Sequence, residues 1–120
     1  MSARKSALLL AEQFVRSSPL PDSWSFRLLP RGADDEWTGM GGEVVVLELT
    51  RAADGAVGYA ALTGRIPGDR EQSEFVEQMQ DVIIEKSNGI AWPPCPGHPH
   101  PMSPTVVDGA IEWRCPAALR

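Results

Sequence analysis

Two Asp-Gly dipeptides constrain this chain more than any other local feature. Asp54-Gly55 separates the β-rich runs EVVVLELTRAA and AVGYAALTGRI, and Asp108-Gly109 separates PTVV from AIEWRC. Asp-Gly readily adopts the positive φ angles of a two-residue hairpin turn, so both positions predict antiparallel hairpins. The sequence therefore favours a fold in which at least four strands pair with their neighbours along the chain.

A two-residue turn also predicts the register of each hairpin. In the first, Leu47 would face Leu62 and Leu49 would face Ala60. One side of that hairpin would then be apolar, with the side chains of Val45, Leu47, Leu49, Ala60 and Leu62. In the second, the same counting pairs Val106 with Ile111 and Met102 with Cys115. Because side chains alternate along a strand, Cys115 is expected on the apolar face of this hairpin, and His100 on the same face.

Two segments show helical spacing, and a short one alternates as a strand does. The first helix has apolar positions at Ala7, Leu8, Ala11, Phe14 and Val15, and prolines at 19 and 21 end it. The segment WSFRLL alternates and predicts a half-buried strand. The second helix would begin at a capping box of Asp69 and Gln72 and end at residues 87–89. Its apolar stripe is Phe75, Val76, Met79, Val82 and Ile83.

Together these elements predict a single α+β domain over residues 1–120. Their order is α-β-β-β-α-β-β, with a mainly antiparallel sheet covered by two helices and a Pro-rich C-terminal hairpin. A chain of 120 residues with 42% hydrophobic residues has enough material for one buried core, but not for two. Residues 30–42, which include the acidic run Asp34-Asp35-Glu36 and Trp37, are expected to form a surface loop.

Charge and hydropathy exclude several classes of function. The net charge of −5 and the scattered Lys and Arg residues argue against nucleic-acid and anionic-membrane binding, which need clustered positive charge. The N-terminal apolar run is shorter than a signal-peptide core, and no segment is long enough to span a membrane. We therefore expect a cytoplasmic protein with a protein partner. Trp37 and Trp92 are candidate anchors for that partner, or they pack over a sheet edge.

Residues 92–116 contain both cysteines and both histidines of the chain. Six prolines at positions 93–104 stiffen the backbone and lower the entropy cost of assembling a site. The spacing is C-x2-H-x-H-x14-C, from Cys95, His98, His100 and Cys115. Thiolate and imidazole are the ligands that structural zinc prefers, and Cys95-x2-His98 has the spacing of a zinc knuckle. The stretch therefore predicts a structural zinc site.

Four other interpretations of the same residues stay open. Cys95 and Cys115 could form a disulfide, or Cys115 could simply pack as a small apolar residue. An open catalytic zinc would need a general base, and Glu112 and Asp108 are the candidates, although neither is well placed. Cys95 with His98 could also act as a nucleophile and base.

The motifs Cys95-Pro-Gly-His-Pro-His-Pro101 and Trp113-Arg-Cys-Pro116 resemble a group of small, uncharacterised actinobacterial proteins with a CPxHxHP…WxCP signature. The resemblance covers about the last fifth of the chain and carries no activity with it. It implies that these residues form one compact C-terminal module.

The sequence as a whole is best interpreted as a small non-enzymatic binding or regulatory domain with a zinc-binding C-terminal hairpin. Two alternatives belong to other classes. One is a small enzyme that uses zinc or a Cys-His pair. The other is an acidic, immunity- or antitoxin-like partner of a basic protein, which the net charge permits.

Overall fold

The structure is a computed structural model that describes residues 2–30 and 44–116. Within these residues, two helices and five strands follow each other in the predicted order, and every strand pair is antiparallel, so the α+β class is confirmed. The elements are α1 (Ala3–Ser17), β1 (Trp24–Leu28), β2 (Val44–Arg51), β3 (Val57–Thr63), α2 (Asp69–Lys86), β4 (Ser103–Val107) and β5 (Ala110–Arg114). The strands divide between two sheets, β1-β2-β3 and β4-β5.

One buried apolar cluster joins both helices to both sheets. It combines the inner face of the three-stranded sheet with Phe14 of α1, Phe75 of α2 and Val106 of β4, and all three of these side chains are almost completely buried. Strand β1 contributes Trp24, Phe26 and Leu28 from its inner side, as the alternation in WSFRLL predicts. The predicted apolar face of the first hairpin is confirmed, since all five of its side chains belong to this cluster.

The register of the first hairpin differs from the prediction by two residues. Leu47 pairs with Ala60 and Leu49 with Gly58, because the connection is a four-residue loop rather than a two-residue turn. The amide of Gly55 donates to the carbonyl of Arg51, and Gly55 has φ 73°. A shift of two residues keeps every side chain on its face, so the apolar face survives the error.

Helix α1 buries three of the five predicted positions, Ala7, Ala11 and Phe14, but not the other two. Its buried residues are Ala3, Ser6, Ala7, Leu10, Ala11 and Phe14. Leu8 and Val15, which were predicted to face the core, are 55% and 38% exposed. In the run Leu8-Leu9-Leu10 only the third leucine has the spacing that aligns with Ala3, Ala7 and Phe14 on one helical face.

Helix α2 has the predicted apolar stripe, and its C-terminal end is also confirmed. Asn88 and Gly89 both adopt positive φ, and the Gly89 amide donates to the carbonyl of Ile84. The predicted capping box lies one residue too late. Gly68 is the N-cap, and its amide donates to Oε1 of Glu71 over 3.4 Å.

Polar side chains of α2 also contact the backbones of both sheets. The Gln78 amide group accepts from the Ala61 amide of β3 and donates to the Ala61 carbonyl. Ser73 Oγ accepts from the Val106 amide of β4 over 2.9 Å. Helix α2 is therefore hydrogen-bonded to one strand of each sheet.

The second hairpin has the predicted turn and register. Asp108 and Gly109 have φ 50° and 80°, and Val106 pairs with Ile111. The predicted loop with Trp37 and the acidic run lies outside the described residues. Among the helices that the structure describes, none combines the length and hydropathy needed to cross a bilayer.

Candidate metal centre

The Pro-rich segment folds back on itself before it enters β4. Pro94 and Pro101 form an isolated antiparallel bridge, and the amide of Met102 donates to the carbonyl of Pro93 over 3.0 Å. Residues 93–102 therefore form a narrow closed loop, in which the prolines leave few backbone donors to be satisfied.

The tip of this loop is a tight turn from Cys95 to His98. The amide of His98 donates to the carbonyl of Cys95 over 3.0 Å, and Gly97 has φ 77°. A positive-φ glycine at the third position is what a type II turn requires, and proline is common at its second position. The turn brings Nδ1 of His98 to 3.2 Å from Sγ of Cys95.

The base of the loop is anchored to the core by two buried side chains. Gln80 of α2 is 7% exposed, and its Nε2 donates to the carbonyls of Trp92 and Met102 over 3.0 and 2.7 Å. The Trp92 ring packs against Phe14 with 4.7 Å between centroids, and its indole nitrogen donates to the carbonyl of Pro19. These contacts fix both ends of the loop relative to α1 and α2.

The residue directly after strand β5 is the fourth member of the cluster. Cys115 follows Arg114, the last residue of β5, and its Sγ lies 3.2 Å from Nδ1 of His98 and 3.9 Å from Nε2 of His100. One donor atom from each of Cys95, His98, His100 and Cys115 lies within 4.8 Å of every other. This group can therefore hold a metal ion.

A hydrogen bond orients the ring of His100 for ligation. Its Nδ1 lies 3.1 Å from the carbonyl oxygen of Pro101, so Nδ1 must carry the proton that this contact requires. Nε2 then has its lone pair available on the side of Cys115. The rings of His98 and His100 stack with centroids 4.9 Å apart, which limits the rotation of both.

Both cysteines are thiols, and the structure contains no disulfide between them. The pKa of the Cys95 thiol is raised above its usual value. The main cause is its hydrogen bond with Cys115, followed by desolvation and by the charge that Cys115 would carry. Two neighbouring thiolates repel each other unless a cation lies between them, and a metal ion reverses that balance.

Three of the six donor-to-donor distances of the cluster can be compared with those of a tetrahedral metal site, for which zinc gives typical bond lengths. Zn–S bonds of about 2.3 Å and Zn–N bonds of about 2.0 Å correspond to donor-to-donor distances of roughly 3.3–3.8 Å. The shortest contacts of His98 to the two sulfurs are slightly below this range, and the contact of Cys115 with His100 is slightly above it. Adjustments of a few tenths of an ångström would bring all three into range.

The structure brings together all four predicted ligands and separates them from the candidate bases. Asp108 and Glu112 are not members of the cluster, and Glu112 forms an ion pair with Arg114 on the other face of β5. Trp92 is 2% exposed and belongs to the core. The prediction that Trp92 anchors a partner is therefore wrong, and the alternative, that it is a packing residue, is confirmed.

Gln80 was not among the predicted site residues, although the sequence contains a signal for it. Gln80 lies four residues after Val76 and three before Ile83, within the apolar stripe of α2. A glutamine at such a position must satisfy its amide with buried partners. Here those partners are the carbonyls at the two ends of the loop of residues 93–102, called the metal loop.

No protein-family model, curated protein or solved structure matches this chain. The fold and the site define a small α+β protein with two cysteines and two histidines that can hold a metal ion. Its function is therefore inferred from its own residues and their geometry.

Proposed function

We propose that this chain is a small non-enzymatic binding or regulatory domain whose C-terminal hairpin is held by a structural zinc ion. One observation carries the proposal: donor atoms from Cys95, His98, His100 and Cys115 all lie within 4.8 Å of each other. The two cysteines are separated by 19 residues, and zinc would link the loop tip to the end of β5.

The composition of the cluster favours zinc over harder cations. Calcium and magnesium prefer oxygen ligands, and the cluster has no carboxylate. Two thiolates also neutralise the charge of a divalent cation. A zinc-loaded site would therefore have no net charge, although it includes the buried Cys95.

A structural role is supported by the number of the ligands and by the burial of one of them, Cys95. Four protein ligands complete a tetrahedron and leave no position for water or substrate, whereas catalytic zinc sites have three. The same features argue against a Cys95–His98 nucleophile. Cys95 is 5% exposed, and its pKa is raised rather than lowered, so it lacks the accessible thiolate that such chemistry needs.

Metal analysis of protein purified without added metal tests the proposal. We expect one zinc per chain, and cobalt(II) in its place should give the absorption bands of a tetrahedral site with thiolate ligands. Cys115→Ser should lower zinc affinity by more than about 100-fold, since changes to residues that only support a ligand cost 10- to 100-fold.

Glu112→Gln is the matched control, because Glu112 lies in β5 three residues before Cys115, with its side chain in an ion pair away from the cluster. Its zinc content should equal that of the wild type. The proposal is wrong if the wild-type chain binds no zinc on titration, or if Cys115→Ser and Glu112→Gln bind it equally well.

A further inference from the structure

The two cysteines of the cluster differ in their access to solvent. Cys95 is buried at 5% exposure, and Cys115 at the end of β5 is partly exposed. Their sulfurs lie within 4.8 Å of each other, and both are 3.2 Å from the same atom, Nδ1 of His98. An oxidant from solvent would therefore meet Cys115 first, with Cys95 next to it.

Contacts that need no metal keep these sulfurs close. Gln80 joins the two ends of the loop that carries Cys95, and the Trp92 ring packs one of those ends against Phe14 of α1. Strand β5 is positioned by Gln13 of α1, whose side chain accepts from Ile111 and donates to Gly109. The pair is therefore pre-organised by the fold itself, without the help of a metal ion.

We propose that Cys95 and Cys115 are a redox-sensitive pair that hydroperoxides convert into a disulfide, with release of the metal ion. The link to metal release rests on the proposed zinc site. A disulfide needs about 2.05 Å between the sulfurs, so the side chains must approach each other by up to roughly 2–3 Å.

The reaction proceeds in two balanced steps. The Cys115 sulfur attacks one oxygen of hydrogen peroxide, which breaks the O–O bond and gives a sulfenic acid and one water. The Cys95 sulfur then attacks Sγ of Cys115, which breaks the S–O bond and gives the disulfide and a second water. From two thiols, two electrons and two protons are lost in total, and one peroxide is reduced to two waters. From zinc-bound thiolates, both Zn–S bonds break, zinc leaves as the divalent ion, and solvent supplies the two protons.

The disulfide and the zinc site exclude each other. Zinc ligation uses the thiolate form of both cysteines, and neither sulfur of a disulfide is a thiolate. Oxidation would leave only His98 and His100 as ligands, and two imidazoles hold zinc far more weakly than four donors. The hairpin itself would stay joined to the loop, now through a covalent bond.

Treatment of the zinc-loaded full chain with excess hydrogen peroxide tests the proposal. A chromogenic indicator follows free zinc, and mass spectrometry follows the chain. We expect one zinc released for each chain that loses the mass of two hydrogen atoms, and peptide mapping should join Cys95 to Cys115. Dithiothreitol should restore the thiols and the zinc affinity.

Gln80→Ala is a further test variant, in which all four proposed ligands are kept. Because Gln80 positions the loop, the metal-free variant should form the disulfide several-fold more slowly than the metal-free wild type. Cys95→Ser and Cys115→Ser should give no reversible intramolecular product.

The outcomes separate this inference from the proposed function. Oxygen adducts in place of the disulfide, disulfide-linked dimers, or a disulfide that leaves zinc bound would each overturn the inference while the zinc site stands. A chain that never binds zinc but still forms the Cys95–Cys115 disulfide would contradict the proposed function and the metal release, and the modification site alone would be retained.

Discussion

Gln80 shows how a single buried polar residue can decide where a metal loop lies. Its amide donates to the carbonyls of Trp92 and Met102, at the two ends of the loop that carries three of the four ligands. Both carbonyls lose their partner if the amide is removed, and buried groups left without a hydrogen bond are costly.

We expect Gln80→Ala to lower the free energy of unfolding by about 2–3 kcal/mol, from two lost hydrogen bonds and a small cavity. Chemical denaturation of the metal-free protein measures this. Glu77→Ala is the control, because Glu77 is an exposed residue of the same helix. It should change the stability by less than about 0.5 kcal/mol. Equal effects of the two substitutions would show that the contacts of Gln80 are unimportant.

At the residue scale, the ligands were predictable and their supports were not. Cys95, His98, His100 and Cys115 are recognisable because metal ligation uses few residue types at short spacings. Gln80 and Trp92 act through hydrogen bonds to backbone carbonyls far away in the chain, at Pro19 for Trp92. Such partners depend on tertiary packing, which local spacing does not encode.

At the scale of elements, the first hairpin explains why a correct turn signal gave a wrong register. Asp54 does not occupy a two-residue turn. Its carboxylate accepts from the Ala56 amide and from the guanidinium of Arg51, which closes a four-residue loop. Arg51 also donates to the carbonyl of Lys86 and so joins this loop to the end of α2. In the second hairpin, Asp108 has positive φ and the two-residue prediction holds.

The Asp54 loop should make the first hairpin sensitive to acid. The Arg51 guanidinium and the Ala56 amide lower the pKa of Asp54 from its usual value to about 2. A lowered pKa means that the carboxylate stabilises the fold above about pH 4, and that this contribution is lost as the pH falls through about 2. Asp54→Asn should lower stability at pH 7 and show a smaller loss than the wild type between pH 4 and pH 2.

Denaturation midpoints at a series of pH values measure this difference. Asp81→Asn, which changes an exposed carboxylate of α2, is the control and should follow the wild-type curve. Parallel curves for Asp54→Asn and the wild type would contradict the role assigned to the Asp54 carboxylate.

The contact between β3 and α2 depends on a glycine. A Cβ added at Gly58 would lie 2.7 Å from Cγ2 of Val82, closer than real side-chain contacts. We expect Gly58→Ala to destabilise the fold by about 1–3 kcal/mol, because the helix must shift away from the sheet. The double variant Gly58→Ala/Val82→Ala should be less destabilised than the sum of its single changes, as thermal denaturation can measure. Additive effects would show that the two residues do not crowd each other.

For the whole molecule, the sequence predicted the class and order of elements but not their division into two sheets. Alternation identifies each strand, and the Asp-Gly signals identify its neighbour along the chain. Whether the second hairpin extends the first sheet depends on what lies at the strand edges. Here the side chains of α2 hydrogen-bond to β3 and β4, at Ala61 and Val106. The protein partner and the immunity-like role stay predictions.

The position of the metal site relative to the core predicts how the molecule responds to metal removal. The cluster around Phe14 and Phe75 joins α1, α2 and the three-stranded sheet, and Cys95 is not a member of it. A chain with such a core does not depend on zinc to fold, unlike a classical zinc finger. Removal should therefore loosen the metal loop and the end of β5 while the rest of the fold persists.

We expect chelation to lower the melting temperature by roughly 15 °C. Free zinc at a thousandfold above its dissociation constant contributes about 4 kcal/mol, and each kcal/mol corresponds to about 4 °C in a chain of this size. Hydrogen exchange should rise in residues 93–102 and 113–116, and the helices should keep their protection. Cys115→Ser should reproduce this pattern without a chelator, and Glu112→Gln should not. Loss of protection throughout α1 and α2 would show instead that zinc is needed for the whole fold, because the core could not then hold the helices by itself.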